Sequence, residues 1–125
     1  MRNYLFETDE HRALREQVRR FAANTIAPHA LAWEEANEFP RELYQQSAEA
    51  GFLGTGYSEE LGGDGGDLSH VLVAAEEMVL AGKSVGTCVG LGSHGIALPP
   101  IVKFGTDAQK ERYVRPTLRG DKVSA

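Results

Sequence analysis

Thr8-Asp9-Glu10-His11-Arg12-Ala13-Leu14-Arg15-Glu16-Gln17-Val18-Arg19-Arg20-Phe21-Ala22-Ala23-Asn24-Thr25-Ile26-Ala27-Pro28 is the stretch whose reading decides the fold class. Leu14, Val18, Phe21, Thr25 and Ile26 recur at spacings of three and four, while Arg15, Glu16, Arg19 and Arg20 take the other face, the pattern of an amphipathic helix with one buried stripe. Thr8 is a good N-cap, and Asp9 and Glu10 put carboxylates in the first turn, where they complement the helix dipole. Pro28 lacks an amide proton and crowds the preceding turn, so the helix must end or kink near Ala27. Leu31, Trp33 and Ala36 carry helical spacing onward, which predicts a kink rather than a loop.

The same signals repeat along the chain. Phe39-Pro40 predicts a second helix with Pro40 at or near its first position, ending at a Gly51 stop. The stretch from Gly54 to Asp67 is too rich in glycine and acid to hold regular structure and reads as an ordered surface loop, with Asp67 capping the next helix. Leu68, Leu72, Ala75, Met78 and Val79 describe that helix, from Leu68 to about Ala81, with Glu76 and Glu77 beside the stripe. Ser84 to Phe104 is ambiguous: Val85, Thr87 and Val89 alternate like a strand, and glycines run through it. Gly105-Thr106-Asp107 is a stop and then a cap, and Ala108, Tyr113, Val114 and Leu118 predict a last helix ending at Gly120. The expected fold is therefore all-α, an orthogonal or up-down bundle of about five to six helices over residues 1–120, with the start of a β-strand at 121–125.

Composition narrows the partners. The 125 residues fit one domain, 42% apolar and 25% charged, an ordinary balance for a folded water-soluble chain. A formal charge of -5 with scattered Lys and Arg offers nucleic acid no basic face. No apolar run reads as a membrane span and no targeting segment is evident, so the expected location is cytoplasmic. The single cysteine, Cys88, sits among apolar neighbours without an adjoining cation, which predicts a buried, inert thiol.

Several motifs invite chemistry and fail on context. Gly90-Leu91-Gly92-Ser93-His94-Gly95 matches the dinucleotide pattern, but Pro99-Pro100 stand where the crossover helix should continue and no acid lies about twenty residues on. Gly82-Lys83-Ser84 resembles the end of a P-loop whose leading glycine would be Glu77. The amides of Gly62-Gly63-Asp64-Gly65-Gly66 could face an anion, which Asp64 and Asp67 would repel. His11, His29, His70 and His94 lie in four segments, so no metal site is expected. Glu76 and Glu77 are adjacent, point to different faces and suit solvated charge or a salt link better than paired catalysis. Gly82, Gly86 and Gly90 at spacing four would make one flat helical face, for a close neighbouring helix or for a slender ligand. Each glycine there costs roughly 1 kcal/mol relative to alanine, which sharpens the ligand-channel reading.

A resemblance adds what periodicity cannot. Glu10-His11-Arg12-Ala13-Leu14-Arg15, Arg19-Arg20-Phe21, Ile26-Ala27-Pro28, Phe39-Pro40-Arg41-Glu42-Leu43, Gly51-Phe52-Leu53-Gly54, Ser58-Glu59-Glu60-Leu61-Gly62-Gly63, Ala75-Glu76-Glu77 and Phe104-Gly105-Thr106-Asp107-Ala108-Gln109-Lys110-Glu111-Arg112-Tyr113 stand in the order and spacing of the acyl-CoA dehydrogenase family. The chain resembles the N-terminal helical domain of that family from end to end, with residues 121–125 at the start of a middle β-domain. Ser58 stands where a proline is common, and Arg115-Pro116 moves the proline of the last helix by one position, which leaves the subfamily open.

The resemblance implies a parent enzyme that binds FAD and acyl-CoA, takes a proton from the α-carbon and passes a hydride from the β-carbon to flavin N5, giving a trans-2-enoyl-CoA. It implies a catalytic glutamate and most flavin contacts outside these residues, an electron-transfer flavoprotein as acceptor, and a homotetramer. The segment Val89 to Ile96 resembles the helix lining the acyl-chain end of the pocket, with Val89, Gly92, Ser93 and Ile96 at the wall positions. Acyl-CoA oxidases, nitroalkane oxidases and flavin monooxygenases resemble the same scaffold, and a stand-alone helical module binding a protein or an acyl group is the alternative from another class.

Overall fold

The computed structural model describes residues 4–124, and all regular structure among them is helical. Helix α1 (Asp9–Phe21) starts where the Thr8 amide donates to His11 Nδ1 at 3.1 Å. Its stripe buries Val18 completely and continues through Ala22 and Ile26, both fully buried. The kink expected at Pro28 has a defined form. A wide π-helical turn, Ala22–Ile26, leads into a tight 3-10 turn, Ala27–His29, with Pro28 at its second position. The Ala27 amide bonds back five residues to Ala22 and the proline needs no partner, so α2 (Ala30–Ala36) resumes at once.

Helix α3 (Glu42–Glu49) begins two residues after Pro40 rather than on it, because the Pro40 carbonyl accepts the Leu43 amide in a turn that precedes the helix. Gly51 stops the helix at φ +84. The loop beyond it is ordered, with one 3-10 turn at Glu59–Leu61. The amides of Gly56 and Asp64 donate to the carbonyls of Gly65 and Gly54, and the Asp64 carboxylate accepts the Gly54 amide at 2.8 Å. The amides of Gly62, Gly63 and Gly65 donate to the carbonyls of Glu59, Ser58 and Tyr57, so the loop's own backbone takes the donors an anion would have needed.

Asp67 caps α4 (Leu68–Gly82) by accepting the Ser69 amide at 2.9 Å, and Lys83 ends it in the left-handed region. The ambiguous stretch resolves into α5 (Val85–Leu91) and α6 (His94–Phe104), nearly end to end. Ser84 caps α5 by accepting the Thr87 amide at 3.0 Å, and its hydroxyl donates to Glu34 of α2. Packing overrides the glycines' reluctance. A Cβ at Gly86 would lie 2.9 Å from Glu34 Oε1, one at Gly90 2.6 Å from the Phe39 ring, and one at Gly82 3.2 Å from Ile26. These three glycines admit close neighbours, which corrects the ligand-channel reading of that face, and Gly82 belongs to a different helix from the other two. Together α5 and α6 make a 20-residue stretch, Val85–Phe104, long and apolar enough to pass for a membrane span, where the sequence had shown no such run.

The last predicted helix is composite: α7 (Asp107–Gln109), a second π-helical turn (Lys110–Val114) and α8 (Arg115–Leu118), with Pro116 at the second position of α8. Thr106 caps it by accepting the Gln109 amide at 3.2 Å. Residues 121–124 form no strand. The amides of Asp121 and Lys122 turn back onto the Pro116 carbonyl, and a strand cannot form without another to pair with. The main core joins Val18, Ala22, Ile26, Leu43, Phe52, Ala74, Met78 and Leu91, and a smaller one gathers Leu98, Val114 and Leu118.

Candidate functional site

Helix α4 turns Leu68, Val71, Ala74, Ala75 and Met78 toward α5 and α6, and the gap between them is an open cavity of about 480 Å³. Its floor is buried: Phe52, Leu53, Met78, Leu91 and His94. Gly92, Gly95 and Pro99 line it on the α6 side, all exposed, opposite the exposed Leu68 of α4. A Cβ at Gly95 would meet nothing within 4 Å and one at Gly92 would meet only carbonyls of α5, so these two glycines, unlike the packed ones, border open space.

His94 is the polar group of the floor, 8% exposed. Burial pulls its pKa below the ordinary imidazole value, and hydrogen bonding to the backbone of Leu53 and Leu91 recovers only part of that. Its ring lies 5.8 Å from that of Tyr57, whose hydroxyl burial makes harder to ionise. Cys88 lines the cavity half-buried rather than sealed, and burial raises its thiol pKa as expected of an inert group. Because the unfolded chain binds a proton to His94 more readily than the folded one, stability is full above the ordinary imidazole value and falls as pH drops through it toward the lowered value. His94→Gln should flatten the thermal-unfolding midpoint between about pH 5 and 6.5, the window below the unperturbed histidine value; an unchanged slope would mean that His94 is not buried as described.

Of the four wall positions implied by resemblance, only Gly92 lines this cavity. Val89 and Ile96 are 67% and 83% exposed and face away from it, and Ser93 donates to the Ser124 carbonyl at 2.8 Å. Sequence reasoning missed His94 and Tyr57. The first was weighed only within the glycine motif and as one of four scattered histidines, and the glycine motif has no strand before it among the described residues and forms no nucleotide cradle.

Two polar clusters tie α1 to α4. Arg15, its side chain 4% exposed, donates from Nε and Nη2 to Glu7 Oε1 at 2.9 and 2.5 Å and from Nη1 to both Glu76 and Glu77 at 3.2 Å. Arg19 holds the other side of Glu77, and Tyr4 donates to Glu76 at 2.6 Å. Glu76 and Glu77 are thus the salt link to another helix that their adjacency suggested. The hydrogen bond from Arg15 keeps the Glu7 carboxyl below the ordinary carboxylate range.

Nearer the helix starts, His11 and His70 stack at 4.0 Å beside Asp67, a grouping their sequence positions did not reveal. These three could offer ligand atoms to an ion, but nearly parallel rings send their in-plane lone pairs side by side rather than to one centre about 2 Å from each. Ser69 instead bridges His11 Nε2 at 2.8 Å and Asp67 at 2.5 Å. The Ser69 and His70 side chains hold the Asp67 carboxyl far below its usual range.

The family model for the acyl-CoA dehydrogenase N-terminal domain matches residues 8–121. The chain belongs to the acyl-CoA dehydrogenase family. It is similar to benzylmalonyl-CoA dehydrogenase of Aromatoleum aromaticum, 37% identical over 94% of this chain and 31% of the relative. Crystal structures of a probable acyl-CoA dehydrogenase from Mycobacterium abscessus (46% identity, TM-score 0.90, 93% of this chain, 31% of that one) and a putative one from Mycobacterium smegmatis (45%, 0.91, 96% and 32%) share its fold. The chain thus spans about a third of the length of the acyl-CoA dehydrogenases it matches.

Proposed function

We propose that this chain is the N-terminal part of a FAD-dependent acyl-CoA dehydrogenase, cytoplasmic and tetrameric in its full form, which converts an acyl-CoA to the trans-2-enoyl-CoA and passes electrons to an electron-transfer flavoprotein. Its own task is to supply one wall of the acyl-chain pocket. The observation that carries this reading is the family match over residues 8–121. A surface feature supports it: α5 and α6 expose the large apolar side chains Val85, Val89, Ile96 and Phe104, and α4 exposes Leu68 and Leu72. Such side chains suit an acyl chain and the rest of a longer polypeptide.

The glycine motif is helix and turn, and the amides of Gly62, Gly63, Asp64 and Gly65 are spent on backbone carbonyls, so neither stretch makes a flavin cradle. The flavin would sit outside these residues, supplying the hydride acceptor there. What this chain would do is exclude water from the acyl chain and set the depth of its pocket.

The test is flavin bleaching by saturated acyl-CoAs of graded length, using the polypeptide extended to the length of its relatives. Bleaching supports the reading; a flavin that stays oxidised with every length refutes it. In the same assay Gly92→Leu should move the preference to shorter chains by at least about tenfold in kcat/KM, because the new side chain fills the gap beside Val89 and Ile96. An unchanged profile would remove Gly92 from the wall.

A further inference from the structure

We propose that the first turn of α6, Ser93 to Ala97, is a movable wall of the cavity. It swings outward on a gap in the hydrogen bonding of its own helix, and Tyr57 and Ser93 latch it shut. The inference goes beyond the proposed function and does not depend on what the cavity binds.

The hinge is written in the sequence. A carbonyl in an α-helix is satisfied by the amide four residues on. For Gly95 and Ile96 those residues are Pro99 and Pro100, which have no amide hydrogen, so α6 lacks two successive rungs. Before the gap the chain is closed over three residues instead of four: the Gly95 and Ile96 amides donate to the Gly92 and Ser93 carbonyls at 2.9 and 3.2 Å. Gly92 and Gly95 bring backbone freedom to the same place, and a side chain at Gly95 would meet no neighbour within 4 Å, so nothing packs against it there. Beyond the turn, Leu98 is 2% exposed and seated against Val114 and Leu118, which fixes the rest of the helix. The moving part is therefore short and bounded on both sides.

Two contacts from other segments hold it closed. Ser93 donates to the Ser124 carbonyl at 2.8 Å, and the Tyr57 hydroxyl donates to the His94 carbonyl at 3.4 Å, long for a hydroxyl donor. A turn with missing rungs and two outside hydrogen bonds opens at a far lower cost than the whole domain. Gly95 lines the cavity on the moving side and Cys88 on the side of α5, so an outward swing widens the way to the thiol.

Amide hydrogen exchange and thiol reactivity test this on the chain and three variants, all of which only remove atoms. In the original chain the Gly95 and Ile96 amides should exchange at least about tenfold faster than those of the buried Val73 and Ala74 in α4, at rates nearly independent of urea below the unfolding transition, the mark of a local opening. Pro99→Ala combined with Pro100→Ala returns both donors and should slow the Gly95 and Ile96 amides by about five- to tenfold. Tyr57→Phe and Ser93→Ala each cut one latch contact and should speed the same amides by about threefold or more. Cys88, the one thiol of the chain, reports the cavity. Its modification by 5,5′-dithiobis(2-nitrobenzoate) should slow in the proline variant and quicken in the two latch variants by similar factors. Exchange at Gly95 and Ile96 that follows urea as the α4 amides do, or Cys88 labelling at one rate in all four proteins, would overturn the proposal.

Discussion

Gly120→Ala should destabilise the domain by about 3 kcal/mol or more, a large effect for one methyl group. Two independent penalties meet there. Gly120 has φ +81, where an L side chain crowds its own backbone, and a Cβ would lie 2.6 Å from the backbone of Tyr44 and Gln45 in α3. A flexible side chain could give way to the methyl group; main chain inside a helix cannot. The substitution should prise the end of the composite C-terminal helix from α3 and weaken the neighbouring link from Arg41 to the Asp121 carbonyl. Chemical denaturation of the two proteins measures it, and a loss under about 1 kcal/mol would show that the two elements can separate freely.

Arg15→Leu should cost about 3 to 5 kcal/mol, the range seen when one partner of a buried ion pair is removed. The leucine leaves Glu7 without its cation in a nearly closed site, while Glu77 keeps only Arg19. The pH dependence identifies the cause. Glu7 has a folded pKa below its ordinary value, so in the original protein its contribution is full above the ordinary carboxylate range and is lost as pH falls through the lowered value. In the variant the same carboxyl gains from protonation. The gap between the two proteins should therefore narrow as pH falls below about 4, near the unperturbed glutamate value. A gap independent of pH would attribute the loss to packing rather than charge.

Local chemistry was legible wherever one segment carried the whole signal. The α1 stripe, the Asp67 and Thr106 caps, the stops at Gly51 and Gly105, and the interruption at Pro28 all arise from neighbouring residues. Ser84 to Phe104 was not legible, because its helices are decided by what they pack against. Glu34 and Phe39 press on Gly86 and Gly90 from residues about fifty positions earlier, and the Tyr44 hydroxyl donates to the Gly90 carbonyl at 3.1 Å. The site obeys the same rule. A family resemblance pointed to the segment Val89 to Ile96, but of its four wall positions only Gly92 borders the inner cavity, which needs Phe52, Leu53 and Met78 brought to it from other segments. His11 and His70 looked unrelated for the same reason: a stack between residues on two helices leaves no trace in either one's spacing.

The two wide turns before Pro28 and Pro116 also act on rotational phase. An α-helix advances about 100° per residue, and a turn closed five residues back instead of four fits one extra residue into the same winding. Everything after Ile26, and again after Val114, is thereby rotated about the helix axis relative to what an uninterrupted helix would present. This lets one continuous rod serve two neighbours, α1 directing its buried azimuth at α4 while α2 directs its own at α5. Deleting a single residue such as Asn24 would preserve helicity and composition yet swing Trp33 and Glu34 by that same angle, uncoupling α2 from α5 without breaking either helix.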